Sequence, residues 1–426
     1  MEQKYYEALG ESLWQATLPN GLTLRVQPRP GFTRKLCYFV TDYGAIHRKF
    51  TLDGQDFHAP AGVAHYLEHK LFDMPGRDVM AEFAAMGANP NAFTSYDVTA
   101  YYFSCTENFE GCLRLLLEYV STPYFTEETV SKEQGIIGQE IDMHADNPDS
   151  RVFEGLMENM YRNHPITVPI LGDRASIAQI TPQVLTDCHR AFYRPGNMML
   201  CVVGDVDPTL VERLAMEILP GEDTAQVSRE NHWPEDMTCP KSISRCNMEV
   251  AMPMFQLGFK CEPPDNGDEA VRAEVIGDLA AEALFGESSP LYLRLYEEGI
   301  IDSSFGGGFE TLDDMALLTA SGDSEDPEAV RDAVLAEAKR LCREGLAEED
   351  FLRMKRSAMG RRIRELDSFD STAFRICAYH MSGFDYFDFP RIYKAVQRQD
   401  ICEFLQRVVT EDRCSLCIIN PIEQEC

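Results

Sequence analysis

"GVAHYLEHKLF", residues 62–72, places two histidines and a glutamate within five positions, 65–69. On a helix, His65 and His69 stand one turn apart on one face. Two imidazoles so arranged can hold one Zn²⁺, each at about 2.0–2.1 Å. Glu68, beside His69, reaches a water near such a metal without being a ligand itself. A catalytic zinc site also needs a third protein ligand and an open position. That ligand must come from another element, and without it the stretch is an amphipathic helix with two histidines.

The segment "TEETVSKEQGIIGQEIDMHAD", residues 126–146, offers the missing donor. Thr126 is a capping residue for a long helix. Glu133 and Glu140 are seven residues apart, two helical turns, and share a face. Ile136, Ile137 and Ile141 predict that the helix packs inward near that face. Carboxylates turned toward a core need a reason such as a cation; taken alone, they also read as an ordinary pair on an acidic surface.

The chain of 426 residues suits two domains of about 200 residues each. Hydrophobic residues make up 44% and charged residues 26%, the balance of a globular protein. The net charge of −31 repels phosphate backbones and argues against nucleic acid as a partner; a basic peptide is a more comfortable guest, though for most of the charge maintaining solubility is the simpler explanation. No apolar run approaches the ~18 residues of a membrane span. The start, "MEQKYYEALGESLW", lacks the pattern of an export signal, so the expected location is cytoplasmic. The 14 cysteines then read as reduced thiols. Cys414 and Cys417 lie in a strand-like stretch, where positions three apart face opposite ways, against redox or metal duty.

Element order suggests a duplication. In the first half, "LTLRVQPR" and "LCYFVTDYG" read as strands, followed by the helices of "AHYLEHKLF" and "DVMAEFAAMG". The β-rich runs "NAFTSYD" and "TAYYFSC", two helices and the buried strand "NMMLCVVG" complete it. A polar stretch, residues 221–246, reads as a linker. Beyond it "VAMPMFQLGFKC", a helix ending in "DLAAEALF", the strands "DSSFGGGFE" and "MALLTASGD" and two long helices repeat the order at a period of roughly 220 residues. The helix corresponding to "AHYLEHKLF" has no histidine. One half, 1–220, carries the candidate site; the other, 247–426, frames it. The glycine run Gly306–Gly308 lacks a phosphate-loop pattern and reads as close strand packing.

The His-x-x-Glu-His order is that of the inverzincins. Together with "NAFTSYDVTAYYF", "KEQGIIGQEIDMHADNP" and "FYRPGNMMLCVVGDVDP", it makes the chain resemble the pitrilysin/insulinase family of zinc peptidases, which includes mitochondrial processing peptidase. The chain looks similar to the short, two-domain bacterial members called YmfH-like. The resemblance implies an α+β fold of two similar domains, each an antiparallel sheet with helices packed on one face, arranged like a clamshell around a chamber. It implies His65, His69 and Glu140 as zinc ligands, Glu68 as general base, and Glu133 as a supporting catalytic acid that does not bind metal. It implies Asn91, Ala92, Phe93 and Thr94 as the edge strand on which an extended substrate lies, where main-chain pairing binds a peptide whatever its sequence.

The implied function is a zinc-dependent endopeptidase cleaving extended peptides or small unfolded proteins. The alternative is a non-cleaving, peptide-binding or assembly subunit of a two-chain complex. A zinc-lacking sister chain or a second copy is the expected partner. One departure from the family motivates the alternative. Many relatives carry an arginine and a tyrosine seven residues apart in the second half, whereas "LYLRLYEEGIIDSSF" has Arg294 followed seven residues later by Ile301, with Tyr296 out of register.

Overall fold

The computed structural model of the protein describes residues 1–221 and 225–422. Residues 222–224 of the expected linker, and 423–426 at the end of the expected second domain, lie outside them. The chain forms two compact units. One comprises Met1–Ile141, Val168–Glu230 and Ile363–Asp388; the other comprises Asp142–Thr167, Asn231–Arg362 and the chain from Phe389 onward.

The first unit is built on a seven-stranded sheet. Its order is Glu2–Tyr6, Glu11–Thr17, Thr23–Pro28, Met198–Gly204, Lys35–Thr41, Thr99–Cys105 and Asn89–Thr94. The second has a five-stranded sheet ordered Ile243–Met248, Cys414–Pro421, Met254–Cys261, Met315–Asp323 and Gly306–Leu312. The last five strands of the first sheet match these five one for one. Both sets contain a single parallel pair at the same place: Thr23–Pro28 with Met198–Gly204, and Ile243–Met248 with Cys414–Pro421. The other pairs are antiparallel. A parallel neighbour requires a long return through other elements, and here the final strand of each half comes back through a series of helices. The duplication expected from element order is therefore present as topology.

Each sheet buries its main core under its own half's helices. In the first unit Leu24, Val26, Cys37, Phe39, Tyr101, Phe103, Leu200 and Val202 alternate onto one face and meet Leu113, Leu116 and Leu117 of the helix Phe109–Ser121. The opposite face is covered as well. Its cover is the helix Phe369–Met381, from late in the chain, packed on Met198–Gly204 and Lys35–Thr41. This explains why Met198–Gly204 is buried at every position and apolar throughout. The second sheet is covered reciprocally by Pro148–Met160, from the first half of the chain. Gly258 makes room for it: a Cβ there would lie 2.6 Å from Met160 Sδ and 3.0 Å from Leu156.

The polar stretch 221–246 carries structure. Val227–Arg229 pairs with Lys49–Leu52, which forms a hairpin with Gln55–His58. Its two-residue turn is Asp53-Gly54, both at positive φ, 51° and 81°, the primed geometry that suits strand twist. Trp233 is buried, and its backbone N–H donates to Asp314. No described helix is long and apolar enough to cross a membrane.

Candidate metal centre

The helix Val63–Leu71 begins at Gly62, whose φ of 86° is left-handed. A Cβ on Gly62 would sit 2.3 Å from the Leu171 carbonyl oxygen, so both conformation and space call for glycine. Val63, Ala64, Tyr66, Leu67 and Leu71 are buried in the core. The Tyr66 hydroxyl donates to the Val130 carbonyl and ties this helix to the acidic helix Glu127–Ala145.

The acidic helix starts under Thr126, whose Oγ1 accepts from the Thr129 N–H at 3.2 Å. Gln134 Nε2 donates to the Ile177 and Ile180 carbonyls, each at 3.3 Å. Ile137 is fully buried and Ile141 packs at the margin of the core. Ile136 does not follow them and is 47% exposed. Adjacent helical positions diverge by about 100°, so the inward packing expected of all three isoleucines holds for only two.

The two helices bring His65, His69 and Glu140 together. One ligating atom from each lies within 4.8 Å of the others. His65 Nε2 is 3.5 Å from Glu140 Oε1, and His69 Nε2 is 3.6 Å from Glu140 Oε2. Donors bound tetrahedrally to zinc at about 2.0–2.1 Å are separated by about 3.4 Å, so these spacings suit the ion. On its other side, His69 Nδ1 donates to Glu133 Oε1 at 3.0 Å. A proton on Nδ1 leaves Nε2 as the lone-pair nitrogen facing Glu140. Burial disfavours a charged His69, but the Glu133 hydrogen bond and the charges of Glu68, Glu133 and Glu140 outweigh it and raise the pKa above the usual imidazole value. Burial likewise opposes a charged Glu133, yet His69, Lys70 and Lys132 hold its carboxyl below the ordinary range. The site's field favours positive charge, and two imidazoles with one carboxylate are a donor set that fits a three-ligand zinc centre. Among the described residues, these three are the group that could hold a metal.

Glu68 takes no part in that triad. Its Oε2 accepts from Thr94 Oγ1 at 2.8 Å. Thr94 ends the strand Asn89–Thr94, which lies at the sheet edge and, among the described residues, pairs only with Thr99–Cys105. Ala92 packs against the core, on the same side as Thr94. Phe93 points to the other face, against Tyr102 and Phe374 at ring separations of 6.3 and 5.9 Å. Asn91 shares that alternation, and its Oδ1 accepts from the Ala92 N–H. Arg294 and Tyr296 are exposed on the helix Pro290–Glu297, where Tyr296 stacks on Tyr292; Ile301 is buried.

Two features of the centre escaped sequence reasoning. One is the Thr94–Glu68 bond. The other is Lys70, whose side chain is 1% exposed. Its ammonium pairs with Asp73, donates to the Thr129 carbonyl at 3.3 Å and lies 3.9 Å from Glu133 Oε2. A signal existed: Lys70 follows Tyr66 by four residues and so shares its buried face.

Residues 55–174 match the family described as insulinase, peptidase family M16, and residues 179–358 match the peptidase M16 inactive domain. The zinc protease YmfH of Bacillus subtilis is 36% identical over 98% of this chain and 98% of its own length. The beta subunit of the mitochondrial processing peptidase of Caenorhabditis elegans is 28% identical over 45% of this chain and 43% of its own. In structure, an M16-like peptidase of Alicyclobacillus acidocaldarius superposes with a TM-score of 0.92 at 30% identity, covering 96% of this chain and 98% of that one. With the fold, the paired helices and these likenesses agreeing over nearly its whole length, the chain belongs to peptidase family M16, the insulinase family.

Proposed function

We propose that the protein is a zinc-dependent endopeptidase acting on extended peptides or small unfolded proteins. The observation that carries this reading is the convergence of His65, His69 and Glu140, with the Glu68 carboxylate held beside them by Thr94. When bound by the three ligands, zinc supplies Lewis acidity toward the scissile carbonyl and acidifies water to a pKa of about 7. Glu68 takes the proton of the attacking water and delivers it to the leaving amine. Glu133 fixes the His69 ring through Nδ1 and so keeps Nε2 aimed inward. The free edge at Asn91, Ala92, Phe93 and Thr94 aligns the peptide main chain by strand addition.

The test is cleavage of a mixed peptide pool, read by mass spectrometry, for the wild type and Glu68→Gln. The variant is expected to retain zinc at wild-type stoichiometry and to lose cleavage by about 10²–10⁴-fold. Wild-type turnover in Glu68→Gln would remove Glu68 from the mechanism.

The match of residues 179–358 to an inactive domain leaves a second reading open, a peptide-binding subunit that works with a zinc-lacking sister chain or a second copy. Stoichiometric zinc without turnover, alone or with a co-purified partner, would support it. Turnover by a strict monomer would oppose it.

A further inference from the structure

The Thr94–Glu68 hydrogen bond joins two elements with separate duties. Thr94 belongs by its backbone to the edge strand and by its side chain to the motif helix. Its Oγ1 donates to Glu68 Oε2 at 2.8 Å, the one hydrogen bond that this carboxylate receives among the described residues. Both side chains are half-buried. The hydroxyl is held on two counts. Threonine is β-branched and stiff at χ1. The strand position is fixed by the register Thr94↔Thr99, and Thr99 is anchored in turn by donating to the Tyr43 carbonyl at 2.9 Å. A glutamate on a helix surface otherwise keeps considerable rotamer freedom.

We propose that Thr94 is a positioning residue for Glu68. It clamps the general base to the edge strand, so that the element aligning the peptide also aims the proton acceptor. This rests on the peptidase reading above. Thr94 touches no reacting atom in this role. Its effect passes through Glu68, and small misplacement of a reacting group costs rate steeply, on the order of 10²-fold for about 1 Å.

The test uses the zinc-loaded full chain carrying Thr94→Val or Thr94→Ser. Valine keeps the branched shape and the strand preference but removes the hydroxyl. Thr94→Val is expected to lower kcat about tenfold to a hundredfold, with KM within about twofold and zinc content unchanged. Thr94→Ser should recover kcat to within about threefold of wild type, because it restores the donor. An unchanged kcat in Thr94→Val, a loss confined to KM, or equal losses in the two variants would overturn the proposal.

A second measurement is independent of turnover. In the metal-free protein, urea unfolding of Thr94→Val, Glu68→Ala and the double variant forms a thermodynamic cycle. The two changes should be non-additive by about threefold or more in the unfolding equilibrium constant; additivity would overturn the contact. A wild type that cleaves no peptide would overturn the peptidase reading and the catalytic role together, whereas wild-type cleavage with an additive cycle would overturn only the role of Thr94.

Discussion

Glu133 and Glu140 stand two turns apart on one helix, yet they meet the same imidazole at different ring nitrogens. The seven-residue spacing was readable in the sequence, and so was the one-turn spacing of His65 and His69. Their division of labour was not readable from spacing, because it depends on how the two helices cross; only the family resemblance implied it. The geometry predicts different costs. Glu140→Gln should remove a ligand and prevent stable zinc binding. Glu133→Gln should leave the ligands in place and weaken zinc affinity about 10–100-fold, through loss of the charged acceptor behind His69. Competition against a chromophoric chelator measures both, and equal affinity for Glu133→Gln and wild type would remove the supporting role. The Thr94–Glu68 bond was hidden for a related reason: it spans 26 residues and depends on strand register.

At the scale of elements, the turn before the motif helix is a point of strain avoided by a single glycine. Gly62→Ala would place a methyl against the Leu171 carbonyl in a left-handed backbone. A loss of more than about 2 kcal/mol is expected, measured as a shift of the urea midpoint of the metal-free protein. A shift under about 0.5 kcal/mol would mean that the turn relaxes. A second element-level device is His189, buried on the helix Pro182–Phe192, with Nε2 donating to the Val120 carbonyl at 2.9 Å. Burial pushes its pKa down to about 4. The unfolded chain, with an ordinary imidazole near 6.5, therefore binds more protons between pH 6.5 and 4. The stability from neutral His189 is fully present above about pH 6.5 and is lost as pH falls toward 4, by up to about 3 kcal/mol. Urea midpoints of the metal-free protein at pH 7 and pH 5 should differ less in His189→Gln than in wild type; equal differences would exclude His189 as the titrating group. The longest helices and most of the sheet strands were legible from periodicity, as were the matched orders of the two halves, but helices such as Pro148–Met160 and Phe369–Met381 were not. The hairpin at Lys49–His58 was missed although Asp53-Gly54 announces it, because its strands are only four residues each and show too little alternation.

At the scale of the whole molecule, the helices covering the second faces of the sheets are exchanged between the halves of the sequence. Neither helix was singled out from the sequence, and a helix's position in the chain does not say which sheet face it covers. Phe369–Met381 belongs to the first unit and Pro148–Met160 to the second. A piece comprising residues 1–221 lacks the helix that covers Tyr38, Val40 and Cys201, and it should be insoluble when produced alone. Co-production with residues 222–426 should restore solubility to both. Independent solubility of residues 1–221, by sedimentation and circular dichroism, would show that the exchanged helix is dispensable.

The exchange also sets a timetable for synthesis. A ribosome makes the edge strand, both helices of the candidate site and the strand Met198–Gly204 before residue 205, but the cover for that sheet's other face ends at Met381. At about 5–20 residues per second, the unfinished sheet waits roughly ten seconds or more with one apolar face open. The residues of the candidate site are thus made early, and the helix that covers the other face of their sheet is made late. A nascent chain of this protein is itself an extended peptide during that interval, and a demand on chaperones follows from topology alone.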